Sequence, residues 1–147
     1  MALENNIIIL WAWWPQSLLH MQALAKEGIS FSGNTQHRLV WCVNPDTDLA
    51  KWFLAEYSLG DIPVAWDMTH LLATLWDKKD RVTCIVNTPV NTHTRLLHAI
   101  LDLHKQWKLS LAGVICEKLL GRNVNRAIAT TETYEQQGVP LGVVCQK

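Results

Sequence analysis

Short apolar runs alternate with amphipathic stretches along most of the chain, and the two periods predict strands and helices in turn. Residues 6–11 (Asn-Ile-Ile-Ile-Leu-Trp) are apolar at consecutive positions, the mark of a strand buried on both faces. Similar runs predict strands at 38–43, 81–87 and 110–116, with a last one at 139–145. A stretch at 62–66 is a weaker strand, because Pro63 removes a ladder donor.

Between these runs the apolar positions recur at helical spacing. Pro15 suits the first turn of a helix over 16–27 that Gly28 ends, with Leu18, Leu19, Ala23 and Leu24 as its stripe. Asp46 or Thr47 is the expected N-cap of a helix to about residue 58, lined by Leu49, Trp52, Phe53 and Tyr57. Asp67 caps a third over 67–78, carrying Leu71, Leu72, Leu75 and Trp76. Asn91 or Thr92 starts a fourth, whose expected buried side is Leu96, Leu97, Ile100, Leu101, His104 and Trp107. A fifth covers 123–137. Strands separated by such helices imply a single α/β domain over 1–147: three layers, a mostly parallel sheet and helices on both faces.

The first strand-to-helix turn departs from the chemistry this architecture usually carries. It reads Leu10-Trp11-Ala12-Trp13-Trp14-Pro15-Gln16-Ser17, with no glycine and no lysine. A phosphate loop needs glycines, so that bare N–H groups converge on the anion, and usually a lysine to neutralise it. ATP hydrolysis at this turn is therefore not expected.

Composition narrows the field further. Thirteen basic residues against thirteen acidic ones exclude the basic surplus of a nucleic-acid binder. No run reaches the roughly 18 apolar residues of a membrane span, and Glu4 precedes the first apolar run without a positive segment, so neither membrane insertion nor a signal peptide is expected. A cytoplasmic protein follows. Cys42, Cys84, Cys116 and Cys145 lie in or at the end of apolar runs with no C-x-x-C spacing, which reads as core packing and leaves no metal site.

Eight tryptophans change the picture again. Trp41, Trp52, Trp66, Trp76 and Trp107 are expected in the core or partly buried. Trp11, Trp13 and Trp14 crowd one turn and cannot all point inward, so with Pro15 they form a candidate interface. Asn44 and Asp46, at the next strand end, join the candidate partner-binding set. The carboxylates Asp46, Asp48 and Asp67 are explained by helix N-termini. No G-x-S-x-G or H-E-x-x-H occurs; His98 and Asp102 are merely an i,i+4 pair.

With the elements placed, the chain resembles the ParA/MinD class of deviant-Walker P-loop ATPases. Cys42-Val43-Asn44-Pro45-Asp46-Thr47-Asp48-Leu49-Ala50-Lys51-Trp52 follows the spacing of the family's D-x-D-P-Q-x-N-L-x-x-W. Trp66-Asp67 occupies the place of its later strand-end aspartate, and the segments from Asp80 to Pro89, Leu111 to Cys116 and Gly138 to Gly142 are similar to its later strands. Asn87, Asn91, His93, Arg95 and Leu96 resemble the cellulose-secretion members. The glycine-lysine loop is missing, and Cys42 and Asn44 replace the two aspartates, so the resemblance implies a P-loop-NTPase-like fold without the P-loop. It implies a non-catalytic pseudo-ATPase adaptor without cofactor, acting through a protein partner or a homodimer in a secretion, envelope or segregation apparatus. Two alternatives stand beside it: a small α/β enzyme with a ligand at the strand ends Asn44, Asp67 and Asn87, and a SulA-type inhibitor of cell division, similar in the 39–52 region and in size.

Overall fold

The computed structural model describes residues 3–11, 35–56, 59–74, 81–118 and 120–144. Six parallel strands form one sheet: β1 Leu3–Trp11, β2 Thr35–Val43, β3 Val64–Ala65, β4 Arg81–Asn87, β5 Ser110–Glu117 and β6 Leu141–Val144. They are ordered β3-β2-β1-β4-β5-β6. The strand expected at 62–66 shrinks to two residues, beside Pro63. Four helices are described: α1 Thr47–Glu56, α2 Met68–Thr74, α3 Val90–Lys105 and α4 Val124–Gln136. The expected helix over 16–27, with Trp13, Trp14 and Pro15 ahead of it, lies outside the described residues, as do Trp76 and Cys145.

The continuous apolar runs are explained by burial on both faces. Ile8, Leu10, Trp41, Val43, Val82, Cys84 and Val86 point to one side, under Leu97, Ile100 and Leu101 of α3, Leu71 of α2 and Tyr134 of α4. Ile7, Ile9, Cys42 and Ile85 point to the other, under Ala50 and Leu54 of α1. The three-layer expectation holds, and Cys42, Cys84 and Cys116 are buried free thiols.

Two strand pairings slip by one residue, at Ile7/Ile8 against β2 and at Val82/Thr83 against β5. At the second slip a side chain serves the ladder. His104 Nδ1 accepts the Leu111 N–H at 3.2 Å, tying the end of α3 to β5. Tyr134 donates from its hydroxyl to the Leu97 carbonyl at 2.6 Å, and a ring nitrogen of His98 lies 3.1 Å from Thr130 Oγ1. His98 therefore links α3 to α4, where the sequence suggested only an Asp102 partner on its own helix.

Side chains cap three helices, at Asp46 and Asp67 as the sequence predicts and at Asn123, where the sequence predicts only the start of a helix. Asp46 Oδ1 accepts from Leu49 N–H at 3.0 Å, Asp67 Oδ1 from His70 N–H at 2.7 Å, and Asn123 Oδ1 from Arg126 N–H at 3.1 Å. Capping fails at α3, which begins at Val90 behind Pro89 with no side-chain cap. Thr92 is already inside the helix, and its hydroxyl donates to the Pro89 carbonyl.

Both long helices end in the same motif. At α4, Val139 N–H bonds Tyr134 C=O and Gly138 N–H bonds Glu135 C=O, with Gly138 at φ 66°. At α3, Lys108 N–H bonds Leu103 C=O and Trp107 N–H bonds His104 C=O, but here the left-handed residue is Trp107 at φ 59°. Trp107 is 89% exposed, so its placement on the buried side of α3 is corrected. The hydrophobic spacing runs through it, but the chain has left the helix one residue earlier. Left-handed backbone costs a residue with a Cβ roughly 1–2 kcal/mol. Replacing Trp107 by glycine is therefore expected to raise stability by about 1 kcal/mol, read as a higher urea midpoint with an unchanged slope.

Candidate functional site

A sheet ordered 3-2-1-4-5-6 runs outward from β1 in both directions, so successive connections leave in opposite senses between β1 and β4. In open α/β sheets a crevice lies at such a divide, beyond the carboxyl ends of the strands. The structure has a cavity of about 630 Å³ there. Leu10 at the end of β1 forms its floor with Val43 of β2. Asn44, Pro45, Asp46 and Leu49 line one wall, and Trp66, Asp67, Met68 and Thr69 extend it past β3. Thr88, Pro89, Thr92, Arg95, Leu96 and Ala99, from the end of β4 and the first turns of α3, form the wall opposite.

Local structure holds each wall in place. Asn44 is 5% exposed, and its Oδ1 accepts from Asp46 N–H at 2.9 Å, which turns the chain from β2 into α1. Asn44 N–H in turn donates to the Ala65 carbonyl. Trp66 stacks on His70, with centroids 3.3 Å apart and planes inclined by 6°, while the Trp66 N–H meets His70 Nδ1 at 3.4 Å. On the far wall, Thr88 Oγ1 and Thr92 Oγ1 are 2.7 Å apart, and a His93 ring nitrogen lies 2.6 Å from the Thr88 carbonyl. The cavity is thus mostly apolar, with a buried amide, two exposed carboxylates (Asp46, Asp67) and Arg95 at its edge. Among the described residues, no group of three or more His, Cys, Asp or Glu side chains is placed to hold a metal ion.

The divide between β1 and β4, with its cavity, is the arrangement of the dinucleotide-binding sheets. The fold is Rossmann-like. Solved structures with the same chain path agree. They include the WlbA dehydrogenase from Chromobacterium violaceum in complex with NADH and UDP-GlcNAcA, at 14% identity and TM-score 0.68, over 96% of this chain and 35% of that one. GenD2 from gentamicin A biosynthesis, in complex with NAD, matches at 17% identity and TM-score 0.72 over 97% and 35%. Myo-inositol 2-dehydrogenase from Lactobacillus plantarum matches at 14% and 0.66 over 98% and 36%. The chain therefore spans about a third of the length of each of these proteins. No protein-family model and no curated protein matches it.

These findings correct the resemblance to the ParA/MinD ATPases, and with it the P-loop-like fold. The Asn-Pro-Asp turn into a capped helix is what any parallel strand-to-helix connection can use, so its spacing does not separate the two fold classes. The adaptor reading, the link to cellulose secretion and the expectation that the chain is not an enzyme fall with it, since the structural neighbours are dehydrogenases and oxidoreductases.

The residues expected at a partner interface are divided by the structure. Asn44 and Asp46 come together on the cavity wall. The Trp11 backbone ends β1 opposite Asn87, and Trp13, Trp14 and Pro15 lie outside the described residues. Of the strand-end set, Asn44 and Asp67 line the cavity, while Asn87 is buried at the end of β4 just before Thr88.

Trp66 is what the sequence reading missed. It was assigned to the core or to partial burial, yet it is 55% exposed on the cavity wall. Trp52 is likewise exposed, whereas Trp41 is buried as expected. The Trp66-Asp67 pair after a short strand was the available signal, because strand ends are where such sheets place ligands. Among the described residues, no helix is long and apolar enough to cross a membrane.

Proposed function

We propose that this chain is the nucleotide-binding domain of an oxidoreductase, and that the cavity at the divide between β1 and β4 takes an adenine dinucleotide of the nicotinamide type. The observation that carries the reading is the place of the cavity: a 630 Å³ space at the switch point of a 3-2-1-4-5-6 sheet. The NADH and NAD named with two of the similar structures support the same ligand class.

The residues present fit such a ligand at one end and depart from it in the middle. The apolar walls and the Trp66 indole suit a nucleobase, and the amide of Asn44 stands where an acidic residue usually meets a ribose hydroxyl. The sequence that follows β1, Ala12 to Ser17, lacks the glycines that let backbone reach a diphosphate. What this chain's residues do is therefore bind and orient, and the rest of the reaction belongs to groups beyond these walls.

Calorimetric titration of the intact protein tests the reading. NAD⁺ or NADH is expected to bind with a dissociation constant at or below roughly 1 mM. Ala99→Trp, on the exposed side of α3 where it lines the cavity, is expected to weaken that binding at least about tenfold while leaving the circular dichroism spectrum unchanged. Failure of the unaltered protein to bind either form at millimolar concentration overturns the proposal.

A further inference from the structure

We propose that the cavity grips its ligand by the nucleobase end, with an adenine ring stacked on the Trp66 indole, and that the diphosphate adds little to the affinity. This rests on the nucleotide reading above and adds to it which part of the ligand the site holds.

Three observations lead there. The Trp66 indole is both exposed and fixed: 55% of the residue is accessible, yet it is stacked at 3.3 Å and 6° on His70. That imidazole sits in the turn into α2, where its Nδ1 meets the Trp66 backbone N–H and the backbone N–H of His70 donates to Asp67 Oδ1. An indole held in one plane before binding loses little freedom when a base stacks on it. Base–aromatic stacking is worth roughly 5- to 150-fold in affinity.

The surroundings suit a nucleoside. Pro45 and Met68 give the same wall an apolar surface, and Asn44 brings a buried amide whose orientation the Asp46 N–H fixes through Oδ1. An amide of this kind can donate to a ring nitrogen or a ribose hydroxyl.

The means of holding a diphosphate are sparse by comparison. The sequence from Leu10 to Ser17 contains neither glycine nor lysine. Among the described residues that line the cavity, Arg95 is the one Lys or Arg, and it is exposed on α3. A solvated cation gives a point of attraction that salt screens; converging backbone N–H groups in a glycine turn would give a cradle.

The test compares fragments on the intact protein by calorimetry: NAD⁺, adenosine, AMP and nicotinamide mononucleotide, against the unaltered chain, Trp66→Ala, Trp66→Phe and His70→Ala. Adenosine and AMP are expected to bind within about threefold of NAD⁺, and nicotinamide mononucleotide at least about tenfold more weakly. Trp66→Ala should weaken adenosine and NAD⁺ alike by roughly 5- to 150-fold, Trp66→Phe should retain most of the affinity, and His70→Ala should fall between them. Melting temperature controls for folding, and Trp66→Phe and His70→Ala decide if Trp66→Ala is unfolded. NAD⁺ binding at least 100-fold tighter than adenosine, or insensitive to Trp66, overturns this inference and leaves the nucleotide reading standing. Equal binding of nicotinamide mononucleotide and adenosine also overturns it. Binding of no fragment and no dinucleotide overturns both.

Discussion

Replacing Leu101 by alanine is expected to lower the unfolding free energy by about 3 kcal/mol, within the usual 2–5 kcal/mol for a buried leucine. Leu101 is wholly buried on α3, beside Leu97 and Ile100, and belongs to the larger apolar cluster between that helix and the sheet. Truncation removes its transfer free energy and leaves a cavity. The neighbours on β4 and β5 cannot close that cavity, because parallel ladders fix them on both sides. For a chain of 147 residues the melting temperature should drop by roughly 10 °C. Urea denaturation would show a lower midpoint with the same slope. Leu96, five residues earlier and only partly buried at the cavity edge, should cost about half as much. Equal costs at the two positions would contradict the assignment of the buried face.

The second large effect concerns the thiols. Burial pushes Cys42 and Cys84 up to about 12, and burial with the neighbouring Glu117 does the same for Cys116. The thiolate is the reactive form, so at pH 8 each should be alkylated by iodoacetamide about a thousandfold more slowly in the native protein than in urea. Residue-resolved mass spectrometry of timed samples reads this directly. Rapid native labelling of any of the three would show that it is not buried.

The same shifts give stability a pH dependence. In the native state these thiols stay protonated until about pH 12, whereas unfolded thiols ionise near 9. Above pH 9 the unfolded chain therefore binds fewer protons than the native one, and stability falls as pH rises, on the order of 1 kcal/mol per pH unit for each thiol. Below pH 9 the contribution is fully present. The Tyr134 hydroxyl, pushed up first by its burial, adds to the loss in the alkaline range. Cys84→Ala should flatten the decline above pH 9 while costing some stability at neutral pH.

Much of the fold was legible because it rests on local rules. The strand at 81–87 coincides with β4, and the other three long strands lie where consecutive apolar residues placed them. Burial on both faces of a parallel sheet demands such runs, so the runs reveal it. Caps at Asp46 and Asp67 were readable for a similar reason: a short polar side chain before a helical period satisfies an N–H three residues on. The end of α3 was not, because the hydrophobic period continues through Trp107 while the backbone turns left-handed there. The candidate site was half visible. Asn44, Asp46 and Asp67 were singled out as strand-end residues, and they do converge, but Trp66 was placed among the buried aromatics.

The amino-acid sequence by itself determined the alternation of elements, the layered α/β class, the placing of Cys42, Cys84 and Cys116 in apolar runs and the lack of glycine just after the first strand, since each depends on residues near one another in the chain. Tertiary structure alone decided which strands are neighbours. The order β3-β2-β1-β4-β5-β6 puts the ends of β1, β2 and β4 around one cavity, and it separates a Rossmann-like sheet from the P-loop class that the local motifs resembled. Such pairing depends on contacts between segments far apart in sequence, and similar strand-turn-helix units can be assembled in more than one order. The same long-range packing leaves Trp41 in the core and Trp66 on the cavity wall. For a tryptophan, burial is set by what lies opposite, which hydrophobic spacing does not encode.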